Sequence, residues 1–239
     1  LILKLINEPS KGFKRFRLDN TSISICNVDF SNWEDRQVQL QCLNNIAHLQ
    51  GSLPKKRSGK RIILVRHGET DWNKQGRFQG QIDIPLNNNG KAQAEAASKF
   101  LKNVFIDKAF SSSLSRPRET AEIILKEHHS LKVILKNNLK EIGHGLWEGK
   151  LESEIESSWS DLLKTWKIFP QKVQMPEGEN IQDVSKRSIN GWNEICDDLK
   201  NNETALVVAH DAVNKTILCH LLGLSPSNIW MIKQGNGGI

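Results

Sequence analysis

The stretch "RIILVRHGETDWN", residues 61 to 73, sets four apolar residues, Ile62 to Val65, directly against arginine, histidine, glycine and glutamate. A short, continuous and mostly branched apolar run reads as a strand covered on both faces, as in the parallel sheets of α/β proteins. The polar group Arg66-His67-Gly68-Glu69 then falls at the strand's carboxyl end, the edge where open α/β sheets hold their ligands. An isolated Arg-His pair also fits an ordinary strand-to-loop transition, so the choice between site and bystander rests on the rest of the chain.

Outward from this stretch the same pattern recurs. "NKQGRFQGQIDIPLNNNG" (73–90) is punctuated by Gly, Asn and Pro and is too long for a simple connector; loops at such an edge build sites. "KAQAEAASKFLKN" reads as helix from its alanines and the spacing of Ala96, Ala97, Phe100 and Leu101. "DKAFSSS" reads as a short strand, "SRPRETAEIILKEHH" as a helix with Pro117 in its first turn, and "LKVILKNNLKEI" as a further strand. "NIQDVSKRSINGWNEICDDLK" has helical spacing, and "TALVVAHD" repeats the opening motif, an apolar strand ending in histidine. This alternation over residues 61 to 225 predicts an α/β fold of three layers, α/β/α, around a mostly parallel sheet. The carboxyl ends of parallel strands converge, so Arg66-His67, the Ser111 to Arg116 segment, Glu141 and His210 are expected to share one pocket. Guanidiniums that stay charged, set beside imidazoles, make an anion pocket, and phosphate is its natural tenant. The same cations make a metal centre electrostatically poor, so neither a metal nor a cofactor is expected.

Composition narrows the class further. A chain of 239 residues, 25% charged and 38% hydrophobic, is neither a small stapled scaffold nor a disordered polymer. The net charge of +6 permits anionic ligands, but the densest basic cluster, "PKKRSGKR" (54–61), has no aromatic platform and reads as linker. No nucleic-acid partner is expected. No apolar run approaches the roughly 18 residues of a membrane span, so no membrane partner is expected either. Cys26, Cys42, Cys196 and Cys219 lie far apart with no zinc or disulfide spacing, which points to reduced thiols and a cytoplasmic location. The oligomeric state is left open.

"LVRHGETDWN" resembles the signature of the histidine phosphatase superfamily, also called phosphoglycerate mutase-like. "RFQGQIDIPLNNNGKAQA", "SSSLSRPRETAE", "LKEIGHGLWEG", "MPEGEN" and "VVAHDAVNK" continue the resemblance in order, so that it covers residues 61 to 239. It implies a phosphomonoester hydrolase acting on a small phosphorylated metabolite. His67 is then the nucleophile that forms a phosphohistidine. Arg66 and Arg116 hold the phosphoryl oxygens, and His210, if protonated, adds a donor. Glu141 is the general acid and later the base. Asn73, Gln79, Gly80, Asp211 and Ala212 are implied as substrate contacts. Glu69 is expected to orient an arginine rather than react. Asp211 stands where relatives often carry glycine or asparagine, and is expected either to raise the pKa of His210 or to cap a helix.

A bisphosphoglycerate-dependent mutase is the alternative. It is disfavoured because the chain has no tyrosine and "KLESEIESSWSDLLKTWKIFP" (150–170) is acidic at first, with only scattered lysines. A non-catalytic phosphate-binding module would be expected to lose His67 or Glu141. Trp147, Trp159, Trp166 and Phe169 read either as an apolar cover over the site or as core. Residues 1–50 resemble the closing segment of a preceding histidine phosphatase domain, a strand pair followed by a tail containing His48. Residues 51–60 then read as a linker, and 61–239 as the catalytic domain, cut short at its carboxyl end. The tail is expected to dock on the sheet edge that such a truncation leaves unpaired.

Overall fold

A computed structural model describes residues 16–28, 38–49, 53–54, 56, 58–128 and 131–239. The amino-terminal expectation falls partly outside them. Within them, β1 (Ile23–Val28) and β2 (Val38–Asn45) form the expected antiparallel pair, followed by a 3-10 turn at Ala47–Leu49.

From residue 61 onward the chain alternates strand and helix as predicted: β3 (Arg61–Arg66), the short α1 (Asp71–Gln75), α2 (Asn88–Leu101), β4 (Lys108–Ser112) and α3 (Ser115–Ile124). It continues with β5 (Val133–Lys136), α4 (Glu152–Ile168), α5 (Ile181–Asp198), β6 (Thr204–Ala209) and α6 (Asp211–Leu222). The sheet order is β3-β6-β4-β5, every pair parallel. Alternate residues of β3 serve opposite layers. Ile63 and Val65 pack with Leu101, Ile124, Leu206 and Val208 toward α2 and α3. Ile62 and Leu64 face a second cluster with Ile195, Val213 and Ile217 from α5 and α6. Each such burial contributes roughly 1.5–3 kcal/mol, so the two-faced apolar run holds the strand at the middle of three layers.

Two expectations are corrected. Glu141 does not stand at a strand end: β5 stops at Lys136, a 3-10 turn covers Asn137–Leu139, and Glu141 lies beyond it. The segment 150–170, to which the sequence reading assigns no element, is largely helix, α4, kinked at Trp159. The amino-terminal hairpin does not pair with β3. Leu40 of β2 forms a single parallel bridge with Ile232, and the Lys233 amide donates to the Leu40 carbonyl at 3.1 Å. The physical reason is occupancy: the run 234–238 lies along the β3 edge, where the Arg66 amide donates to Gly238 O at 3.0 Å and the Gly237 amide to Arg66 O at 3.2 Å.

Candidate active site

Register brings the two histidines together. Arg66 is opposite Ala209, and the His67 amide extends the ladder to Ala209 O at 3.0 Å, so the next residue of each chain segment carries an imidazole. The rings of His67 and His210 lie 5.1 Å apart, edge to face. His67 Nδ1 is 2.7 Å from Gly68 O. A carbonyl only accepts, so Nδ1 carries the proton and Nε2 presents its lone pair. Burial, with Arg116 and Arg66 nearby, holds the His67 pKa well below the usual imidazole range, and the ring is neutral at pH 7.

Arg116, in the first turn of α3, is fully buried. Its Nε approaches His67 Nε2 at 3.3 Å, while its terminal nitrogens donate to Gly80 O (2.7 Å) and Ile82 O (3.3 Å). Burial lowers its pKa to about 10 against the pull of Glu141, so it remains a cation. The 80–82 loop is held in turn by Glu148, whose carboxylate accepts from the amides of Gln81 (2.9 Å), Ile82 (2.8 Å) and His144 (3.1 Å). A side chain at position 80 has no room, since a Cβ would lie 2.1 Å from Glu148 Oε1 and 2.7 Å from Ile142 O. Gly80 therefore serves the arginine by its carbonyl and a close approach.

Arg66 donates to Gln234 O at 2.6 Å and pairs with Asp211 at 3.1 Å. Asp211, the first residue of α6, also meets Lys215 at 2.7 Å. It thus does neither of the two things expected of it: it holds Arg66, and its charge acts on Glu141. Burial first and Asp211 second raise the Glu141 pKa, which favours the protonated acid. The Glu141 carboxyl accepts from the amides of Ile142 (2.9 Å) and Ala212 (3.3 Å), so the Ala212 amide fixes the acid.

His210 sits 2.9 Å from Ser112 Oγ, and burial, Arg116 and His67 keep its pKa well below normal. The condition attached to it, protonation, is not met by the protein's own field, because burial and the guanidiniums of Arg116, Arg187 and Arg66 all disfavour the charged ring. Asn73 closes a capping box with Thr70, and its Oδ1 also accepts from Asn236 at 3.1 Å. Gln79 Oε1 accepts from Thr70 Oγ1 at 2.7 Å. Glu69 binds Asn87 at 2.9 Å and touches no arginine among the described residues, a partner that only the chain's path could reveal.

Arg66, His67, Asn73, Gln79, Glu141 and Asp211 line one cavity of about 350 Å³. Its outer wall adds Arg77 and Phe78 from the 76–88 loop and Glu152 and Lys167 from the 144–180 segment, the two regions from which specificity was expected, and Trp230, which the sequence had not assigned. Trp166 is shared between wall and core, and Trp147 is core alone, while Phe169 is exposed. His144 is buried against Phe78 and Trp166, with its pKa pulled down to about 4 by burial. Buried Arg66 Nε, Gln79 Nε2 and His210 Nδ1 have no hydrogen-bond partner among the described residues. Unpartnered nitrogens beside guanidiniums suit an oxyanion. Among the described residues no group of three or more His, Cys, Asp or Glu is arranged to hold a metal ion, and no helix is long and apolar enough to cross a membrane.

Comparison with known proteins agrees with this geometry. The model of the histidine phosphatase superfamily (branch 1) matches residues 62–239. Phosphoserine phosphatase 1 of Hydrogenobacter thermophilus is 35% identical over 74% of this chain and 82% of its own length. The 2-carboxy-D-arabinitol-1-phosphatase of Triticum aestivum is 32% identical over 78% of this chain, which spans only 37% of that relative. The structure of Bacillus stearothermophilus YhfR superposes with a TM-score of 0.71 at 30% identity, over 74% of this chain and 88% of that one. A match over most of the chain, joined to Arg66 and His67 on the cavity wall with Arg116 and His210 packed behind His67, leads to one conclusion: the chain belongs to the histidine phosphatase superfamily and is a phosphatase.

Proposed function

We propose that this phosphatase hydrolyses small phosphomonoesters in two displacements at His67. The lone pair of His67 Nε2 attacks phosphorus, the P–O bond to the alcohol breaks, and Glu141 gives its proton to the departing oxygen. The carboxylate so formed takes a proton from water, whose oxygen attacks the phosphohistidine. The N–P bond breaks, phosphate leaves, and both side chains return to their starting states.

Arg66 and Arg116 match the charge on the transferring group, and an incoming phosphate supplies the anion that His210 needs in order to hold a proton. Asn73 and Gln79 are the neutral contacts. The observation that carries these assignments is the pairing of opposite shifts in one cavity, an imidazole whose pKa is lowered and whose Nε2 is unprotonated beside a carboxyl whose pKa is raised.

Simple hydrolysis is favoured over mutase chemistry, because only two half-exposed cations, Arg77 and Lys167, join Arg66 on the cavity wall. Both already face carboxylates, Glu154 and Glu152. The reading also takes residues 61–239 as the catalytic unit, supported by a family match that begins at residue 62. It takes the amino-terminal hairpin as the end of a preceding domain, and the enzyme as cytoplasmic. The test is a panel of phosphomonoesters and, separately, 3-phosphoglycerate with its bisphosphate. Phosphate release from the panel is expected, with an acid-labile, base-stable phosphoenzyme trapped on quenching. Isomerisation outpacing release would reject the hydrolase assignment.

A further inference from the structure

The acid stands on a run that the sheet does not hold. β5 lies at the far edge from β3, and the run 137–143 carries Glu141 back toward the histidines without a strand partner. The grip comes from α5. Arg187 commits all five of its N–H donors there. Nε and one Nη2 proton go to the two oxygens of Glu179, both at 2.7 Å. The other Nη2 proton goes to Glu141 O at 2.9 Å, and Nη1 serves the carbonyls of Asn138 (3.1 Å) and Lys140. Glu179 then accepts from the Gly143 amide at 2.8 Å, and Gln81 bridges Glu179 (3.2 Å) to Glu141 O (3.1 Å). The backbone on both sides of Glu141 is thus fastened to one guanidinium–carboxylate pair.

We propose that Arg187 is a positioning residue for Glu141, setting the reach of the proton donor without touching substrate; the inference rests on the reading of Glu141 as general acid. A planar fork with five directed donors is needed, because three carbonyls and a carboxylate must be met at once. Lysine keeps the charge but offers three donors at a single point, so Arg187→Lys separates geometry from electrostatics. Arg187 is absent from the cavity wall, so a change in its length leaves the phosphate contacts in place.

The test compares an alkyl phosphate, whose alkoxide must be protonated as it leaves, with p-nitrophenyl phosphate, whose phenolate leaves unaided. General acid catalysis is worth about 10²–10⁴-fold. Glu141→Gln should therefore lose that order on the alkyl ester and far less on the aryl ester. Arg187→Lys should shift the alkyl-to-aryl kcat ratio the same way by about tenfold, with KM for both esters nearly unchanged. Glu179→Gln, which keeps the fork but weakens its anchor, should shift the ratio less and serves if the lysine variant fails to fold. If Glu141→Gln discriminates between the esters while neither Arg187→Lys nor Glu179→Gln does, Arg187 is only structural and the inference is overturned. If Glu141→Gln itself treats both esters alike, the acid role is wrong and the inference falls with it.

Discussion

Arg66, His67 and His210 are located by backbone: the β3–β6 ladder runs through the Arg66–Ala209 pair, and the two histidines follow in step. Glu141 is located by side chains that cross from α5 and from the 79–82 loop to grip its backbone. A ladder fixes position through hydrogen bonds that any sequence of suitable pattern makes. A side-chain grip depends on individual residues far away in sequence. The phosphoryl-handling half should therefore fail by loss of chemistry, and the proton-handling half by graded loss of alignment.

The sharpest break in that comparison is His67→Ala, which should lower kcat by about a thousandfold or more while leaving the melting temperature nearly unchanged. A variant that keeps a per cent or so of activity would mean that the ladder delivers the wrong nucleophile. Next is Arg116→Ala, expected to cost about 10²–10³-fold in kcat. It should also lower the melting temperature, because Gly80 O and Ile82 O lose their donor. An intact rate would remove Arg116 from the site.

The same contrast governs how much was legible beforehand. Apolar runs of period-free strand and helical spacing gave the three layers, and strand-end histidines could be read because β-ladders convert sequence position into spatial position. The partners of Glu69, Asp211 and Glu141 could not. Each depends on where a neighbouring element passes: Asn87 before α2, Lys215 one turn along α6, Arg187 from α5. Asp211 and Lys215, four apart, were open to inspection as a helical pair once the start of α6 was known. Arg187 had no local signal beyond its place eight residues after Glu179.

A subtler test sharpens the electrostatic side. Glu141 must be protonated to act, so kcat falls as pH rises through its raised pKa; His67 must be neutral, so activity falls at low pH only below its lowered pKa. Asp211→Asn removes a charge that raises the Glu141 pKa, so the alkaline limb of the profile should move to lower pH. A limb that stays put would show that a group other than Glu141 controls it. The smallest expected effect is that of a chelator. With Arg66, Arg116 and a protonated His210 matching the phosphoryl charge, EDTA should leave the rate unchanged, and activity restored by added metal would refute that arrangement.

Arg187 grips carbonyls, Glu179 accepts the Gly143 amide, and Glu148 accepts the His144 amide. None of these contacts reads a side chain of the 138–144 rim. Ile142 and His144, which face the cavity from buried positions, can thus be exchanged for residues that keep their packing while the proton donor stays where it is. Such a frame lets substrate preference drift under selection, or be redesigned, without the chemistry having to be invented again.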